Sequence, residues 1–129
     1  MKPKILIVLA DYYRDISVDL LQSTTNHIVK KSKFNLIKVP GVFEIPVVIS
    51  KNIKKYDGFI ALGCVIKGQT PHFDFISQAT TNAIMRLSID NKKPIGNGII
   101  TALNNDQAKD RSTKKGKEAA IAVFSVLSQ

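Results

Sequence analysis

Tryptophan is absent from the 129 residues, cysteine occurs once and histidine twice. Cys64 alone leaves no internal disulfide, and one thiol with two imidazoles falls short of a structural zinc site. No metal is therefore expected. Long apolar runs are missing too, since nothing approaches the roughly 18 apolar residues of a membrane span. The chain opens Met1-Lys2-Pro3-Lys4, and the apolar run that follows stops at Asp11 without a small-residue cleavage site. These absences lead us to expect a cytoplasmic protein that is neither exported nor held in a membrane. Acids are also scarce, with ten Asp and Glu against nineteen Lys and Arg, a formal charge of +9. Such a charge suggests a nucleic-acid partner. The lysines, however, fall as short pairs (Lys30-Lys31, Lys54-Lys55, Lys92-Lys93, Lys114-Lys115), without a basic helix face or an aromatic-basic platform. Pairs of this kind read as solvated helix ends that complement the helix dipole. No nucleic-acid partner is expected, whereas a small phosphorylated substrate would be attracted.

What is present is enough apolar content, 44%, for one contiguous core and one domain over residues 1–129. Residues 4–10 (KILIVLA) form an apolar run suited to a strand buried on both faces. Residues 14–31 carry helical spacing, with Ile16, Leu20, Leu21, Thr24 and Ile28 on one stripe. A second strand is expected over 34–39, broken by Pro40-Gly41, and a helix over 44–55 with Pro46 in its first turn. A third strand over 57–67 leads to a long helix over 72–91, whose buried face would include Phe73, Ile76, Thr80, Ala83, Ile84 and Leu87. Residues 94–103 supply a fourth strand, weakened inside by Gly96 and Gly98. A short helix over 106–111 and a last one over 115–127 close the chain. The alternation predicts an α/β fold of three layers: a four-stranded parallel sheet with helices on both faces, flavodoxin-like in type. Ligands of such sheets bind beyond the carboxyl ends of the strands.

The unusual residues cluster at those ends. Gly68, Gln69 and Thr70 lie between a strand and a helix start, where free backbone N–H groups and the helix dipole favour an anion. The second glycine and the lysine of a Walker motif are missing, so on its own the segment reads more readily as an ordinary turn that needs a glycine. His72 opens the same helix, where an imidazole serves either as a general base or as a surface cap. Tyr12, Phe43 and Glu44 would set aromatic faces and a carboxylate around a flat heterocycle, although each taken singly is also ordinary core filling or a helix-start acid. Arg111 could clamp a phosphate. Lys115 and Glu118 have the spacing of an exposed ion pair, and Cys64 reads as a small buried hydrophobe.

Three motifs taken together go further. Pro40-Gly41-Val42-Phe43-Glu44-Ile45-Pro46, the run from Ala61 through Gly68-Gln69-Thr70-Pro71-His72 to Asp74, and Lys115-Gly116-Lys117-Glu118-Ala119-Ala120 resemble the lumazine synthases in the right order from Lys4 onward. The resemblance implies a transferase of riboflavin biosynthesis that needs no cofactor. Its two small-molecule substrates would be 5-amino-6-ribitylaminopyrimidinedione and 3,4-dihydroxy-2-butanone 4-phosphate, and its product 6,7-dimethyl-8-ribityllumazine. It implies that Tyr12 stacks on the pyrimidine ring, while Val42, Phe43 and Glu44 hold the ring and ribityl hydroxyls and Val65 and Ile66 bond the ring edge through backbone groups. Gly68, Gln69 and Thr70 would bind phosphate with Arg111 as clamp, His72 would transfer protons, and Lys115 and Glu118 would support them.

The pattern departs from the family in three places. Asn97 stands where many members carry phenylalanine, which would turn one aromatic wall of the pocket polar. The stretch from Arg111 to Lys115 looks several residues shorter than usual. The chain starts almost directly at its first strand, without the arm that many members extend onto a neighbour. The resemblance further implies a homo-oligomer with active sites at subunit interfaces. We expect a ring-shaped pentamer rather than a shell, with riboflavin synthase as a further associate. The alternatives on this scaffold are an archaeal-type riboflavin synthase and a flavin- or lumazine-binding carrier.

Overall fold

Six consecutive apolar residues, Ile5 to Ala10, are each at most 2% exposed in the computed structural model, which describes residues 2–129. Met1, the first residue of the domain expected over 1–129, lies outside the described residues. This strand, β1 (Lys4–Ala10), is central because an apolar run without alternation must be covered on both faces. It pairs in parallel with β2 (Lys33–Val39) on one side and β3 (Gly58–Ile66) on the other, and β3 pairs in parallel with β4 (Ile95–Ala102). The order is β2-β1-β3-β4. Four α-helices cover the sheet: α1 (Arg14–Ile28), α2 (Ile45–Lys51), α3 (His72–Asn91) and α4 (Asn105–Leu127). The architecture is therefore the three-layer, flavodoxin-like α/β arrangement expected.

Alternation along the strands divides the core in two. Ile5, Ile7 and Leu9 of β1, Ile60 and Leu62 of β3 and Ile100 of β4 meet Ile16, Leu20 and Ile28 of α1 and Ala119, Ala120 and Val123 of α4. The opposite faces, Leu6, Val8, Phe59, Ala61 and Ile99, meet Ile45 and Ile49 of α2 and Ile84 of α3.

Four expectations need correction. The first helix ends at Ile28 rather than at residue 31, where the Ser32 hydroxyl donates to the Ile28 carbonyl at 3.2 Å. The helix expected over 44–55 is a 3-10 turn, Val42–Glu44, followed by the short α2. It stops because the Asn52 side chain folds back to donate to the Val48 carbonyl at 2.8 Å. The two C-terminal helices are one, α4, started by Asn104, whose side chain accepts from Gln107 N–H at 2.9 Å while Leu103 N–H donates to Gln107 Oε1. Gly116 does not interrupt it: a Cβ there would collide with Thr24 Oγ1, the Leu20 carbonyl and Ser23 Oγ, so the missing side chain is what lets α1 and α4 cross closely. The interior glycines of β4 act likewise. A Cβ on Gly96 would meet the Ala119 carbonyl and Val123 and one on Gly98 the Leu62 side chain and Ala61 carbonyl, so Gly96 lets α4 settle on the strand and Gly98 lets β3 pack against it, rather than weakening it.

The long α3 buries only Thr80 and Ile84 fully; Phe73, Ile76, Ala83 and Leu87 of its expected face are half-buried. Among the described residues, no helix is long and apolar enough to cross a membrane.

Candidate active site

The carboxyl end of the sheet is built by three strand exits. After β1 the chain turns at Asp11, whose N–H donates to the Val39 carbonyl at 3.0 Å, and exposes Tyr12. The turn is held from below by the Ser17 hydroxyl, which donates to the Ala10 carbonyl at 3.2 Å. After β2, Pro40 and Gly41 redirect the chain into the 3-10 turn, burying Val42 and leaving Phe43 61% exposed. After β3, Lys67 N–H donates to the Ala102 carbonyl at 2.9 Å, and residues 68–70 lead into α3 with His72 as its first residue.

These exits enclose a cavity of about 560 Å³ lined by Tyr12, Val42, Phe43, Glu44, Val65, Ile66 and His72. The structure thus gathers seven of the residues expected to bind or transform substrate. Its size suits a small heterocycle with a side chain, and its wall offers two exposed aromatic rings, a carboxylate and an imidazole. Gly68, Gln69 and Thr70, between Ile66 and His72 in the chain, are exposed and do not line the cavity. The Thr70 hydroxyl lies 3.4 Å from His72 N–H and accepts from it, so the threonine is turned towards the helix start.

Tyr13, Gly41, Cys64 and Ile76 also line this cavity and were not among the expected site residues. Tyr13 stands edge-on to Tyr12 with ring centroids 4.9 Å apart. Its phenol is raised above its ordinary range by burial and by the neighbouring Cys64 and Tyr12. Burial, with a contribution from Asp15, pushes the Cys64 thiol up to about 11 and keeps it protonated at neutral pH. The adjacency of Tyr13 to Tyr12 was the one sequence signal for the first of these. Cys64 is buried, as its mid-strand position suggested, but its face is the cavity floor.

The remaining candidates stand apart. Arg111, Lys115 and Glu118 line a separate depression of about 360 Å³ with Ile99 and Thr101, along the outer edge of β4. There Arg111 Nη1 donates to the Thr101 carbonyl at 2.8 Å, one of the backbone groups that an edge strand leaves unpaired. Asn97 is exposed on the same free edge, its Oδ1 accepting from Ile99 N–H at 3.1 Å, and lines neither cavity. In register Asn97 lies beside Ala61, whereas Ile66 lies beside Ala102. Five residues at about 3.3 Å each separate Asn97 from the carboxyl edge, roughly 16 Å. One chain therefore holds the candidate residues as two groups. Among the described residues, no cluster of His, Cys, Asp and Glu could hold a metal ion.

Known proteins resemble this chain over nearly its whole length. The sequence profile of the family described as 6,7-dimethyl-8-ribityllumazine synthase matches residues 2–129. A protein of that name from Bartonella tribocorum is 40% identical, covering 97% of this chain and 90% of its own. Namesakes from Corynebacterium kroppenstedtii and Agrobacterium fabrum are 37% and 38% identical, covering 94% and 91% of this chain and 80% and 84% of their own.

Proposed function

We propose, from the premise that this chain belongs to the 6,7-dimethyl-8-ribityllumazine synthase family, how an enzyme of riboflavin biosynthesis works with these residues. It condenses 5-amino-6-ribitylaminopyrimidinedione with 3,4-dihydroxy-2-butanone 4-phosphate in the cytoplasm. The observation that carries this reading is the cavity at the carboxyl edge, which joins Tyr12, Phe43, Glu44, the end of β3 and His72.

The primary amine of the pyrimidinedione attacks the ketone, and an imine forms with loss of water. Phosphate leaves by elimination, and the ring closes with loss of a second water. Tyr12 and Phe43 sandwich the ring, backbone groups at Val65 and Ile66 fix its edge, and Glu44 accepts from ribityl hydroxyls. His72 moves protons between steps, an effect on the order of a hundredfold. Holding the two substrates together contributes more. The amides of residues 68–70 at the start of α3 and the guanidinium of Arg111 receive the phosphate.

Arg111 and Asn97 reach this cavity from a neighbouring subunit, because within one chain they lie along the free edge of β4. A head-to-tail ring brings that edge to the next subunit's cavity, and we assign a pentamer, with riboflavin synthase as an associate that consumes the product. The exposed Phe75, Met85 and Ile89 of α3 support burial of that helix between subunits.

Mixing the protein with both substrates and following the lumazine chromophore tests the reading. A rate no higher than the spontaneous one sinks the enzyme assignment. In the same assay, His72→Ala and Arg111→Ala proteins are expected to be impaired alone and to recover activity after subunit exchange. Proven exchange without recovery would place both residues in a site made by one chain.

A further inference from the structure

Lysines that the sequence spreads over four segments are gathered by the fold at one edge of the sheet, opposite the cavity. Lys2 and Lys4 lead into β1, and Lys30, Lys31 and Lys33 surround the entry to β2. Lys54 and Lys55 precede β3, and Lys92 and Lys93 precede β4. Backbone contacts tie these entries together: Lys33 N–H donates to the Pro3 carbonyl at 3.0 Å, and Asp57 N–H to the Lys4 carbonyl at 2.8 Å. Lys93 Nζ reaches the Ile53 carbonyl at 2.6 Å.

Segments 2–4, 29–33, 52–57 and 90–94 hold nine lysines against two aspartates, +7 of the chain's +9; the other ten cations and eight acids leave +2. Both aspartates are engaged already. Asp57 accepts from Lys4 N–H at 2.8 Å and Asp90 pairs with Arg86 at 3.6 Å. None of the ion pairs among the described residues includes one of the nine lysines. Four helices end at this edge, and at about half a negative charge each their dipoles offset roughly two of the seven. An excess of about five remains.

The shape and chemistry of this excess select its partner. Four strand entries at about 4.8 Å spacing make a stripe some 15 Å long rather than a disc. Over that length a nucleic-acid duplex presents on the order of nine phosphates, about half of them on the near side. Stacking of single-stranded bases needs open aromatic rings. Tyr56 and Phe124 lie half-buried, with Lys4 and Lys31 at 5.5 and 5.9 Å from their ring centres. Val29 and Val126 are exposed nearby but singly, too little for insertion into a bilayer. Every cation in the stripe is lysine, a point charge without the bidentate fork that reads bases. The pairing in sequence had spoken against a nucleic-acid surface because it makes no basic helix face; the surface comes instead from strand entries. We propose that this lysine stripe binds the backbone of duplex nucleic acid without regard to sequence.

The test is fluorescence anisotropy of a labelled random-sequence DNA duplex titrated with the intact protein between about 50 and 200 mM salt. Binding is expected at the low end, with log K falling against log salt at a slope of about −3 to −5. Charge reversal at Lys30, Lys31, Lys54 and Lys55 to Glu is expected to weaken it at least ~100-fold, and reversal at Arg14 and Lys38, away from the stripe, less than ~3-fold. Should the fourfold variant fail to fold by circular dichroism, Lys30→Gln and Lys54→Gln singly are each expected to flatten the slope by about one. The proposal is overturned by no binding at low salt, by equal loss in the Arg14 and Lys38 control, or by slopes unchanged in the single variants. Tighter binding to single-stranded DNA, or to phosphatidylglycerol vesicles than to the duplex at equal salt, overturns it too.

Discussion

The two helical layers are finished to different degrees. On the α1–α4 side, α4 alone buries six residues, and Gly116 brings the helices into backbone contact. The polar groups between them are matched. Asp19 Oδ2 accepts from Ser112 Oγ at 2.9 Å and Lys109 Nζ at 3.2 Å, and Thr24 Oγ1 donates to the Leu20 carbonyl at 2.8 Å. On the α2–α3 side, the twenty residues of α3 bury two, leave Phe75, Met85 and Ile89 open, and enclose the Ser77 and Thr80 hydroxyls without a partner. The first layer is complete within one chain. The second carries most of the cavity's lining and the exposed apolar side chains of α3, so cavity and incompleteness share a side.

The largest effect expected from this contrast is at Gly116. Alanine in a helix interior is favoured over glycine by about 1 kcal/mol, yet its Cβ would press on the Leu20 carbonyl, which cannot rotate away. Overpacking costs typically about 1–3 kcal/mol and more where backbone is the obstacle. With the overpacking cost at the upper end of that range, Gly116→Ala should therefore lower stability in urea denaturation by about 2 kcal/mol net. Ala79→Ser on the open face of α3 should change it by less than about 0.5 kcal/mol. Equal losses, or a gain at Gly116, would remove the distinction between the layers.

Periodicity made the central fold legible, because apolar runs and stripes reflect burial within one chain. The bounds of β1 and α3 follow from it directly. It was blind where a glycine serves contact rather than flexibility: Gly96 and Gly98 read as weak points, and the close crossing that Gly116 permits left no signal. Those readings need the opposing surface, Leu20 or Ala119, which lies far away in sequence. The start of α4 was legible in principle, since Asn104 and Gln107 have the spacing of a reciprocal cap. At the site, the strand-end rule located the residues now lining the cavity, whereas Arg111 and Asn97 sit on the edge of β4, and no rule for a single chain unites them with His72. Charge was the least legible: four modest lysine segments become one stripe only when the strand entries line up.

A smaller effect is expected from the clasp between α1 and α4. The Ser112 hydroxyl, opposed by partial burial and aided by Lys109, holds the Asp19 carboxyl below its ordinary 3.8. A carboxylate lowered on folding adds stability that is present above the unfolded value and lost as the pH falls through the folded one. Asp19→Asn should lower Tm by a few degrees at pH 7, a loss on the order of 1 kcal/mol. The gap to the parent should narrow as the pH is taken below about 3.8. A gap independent of pH would mean that the clasp acts through packing alone.

The smallest effect, and the sharpest in sign, is at Thr80. Its residue is 2% exposed within one chain, so its hydroxyl is enclosed by the chain's own atoms and subunit assembly brings it no further cover. Thr80 Oγ1 has no hydrogen-bond partner among the described residues. A buried hydroxyl without a partner bears its desolvation cost, about 1–3 kcal/mol, with nothing returned. Valine keeps the branching and nearly the volume while removing that cost, and its helix propensity is close to that of threonine. Thr80→Val should accordingly raise stability in urea denaturation by on the order of 1 kcal/mol. The matched change on the finished side, Ser112→Ala, should lower it by a similar amount, because there the hydroxyl donates to a carboxylate. Opposite signs are the signature of one satisfied and one unsatisfied layer. A loss at Thr80 as large as that at Ser112 would show that the α3 hydroxyl is bonded in solution and that the α2–α3 layer is as complete as its counterpart.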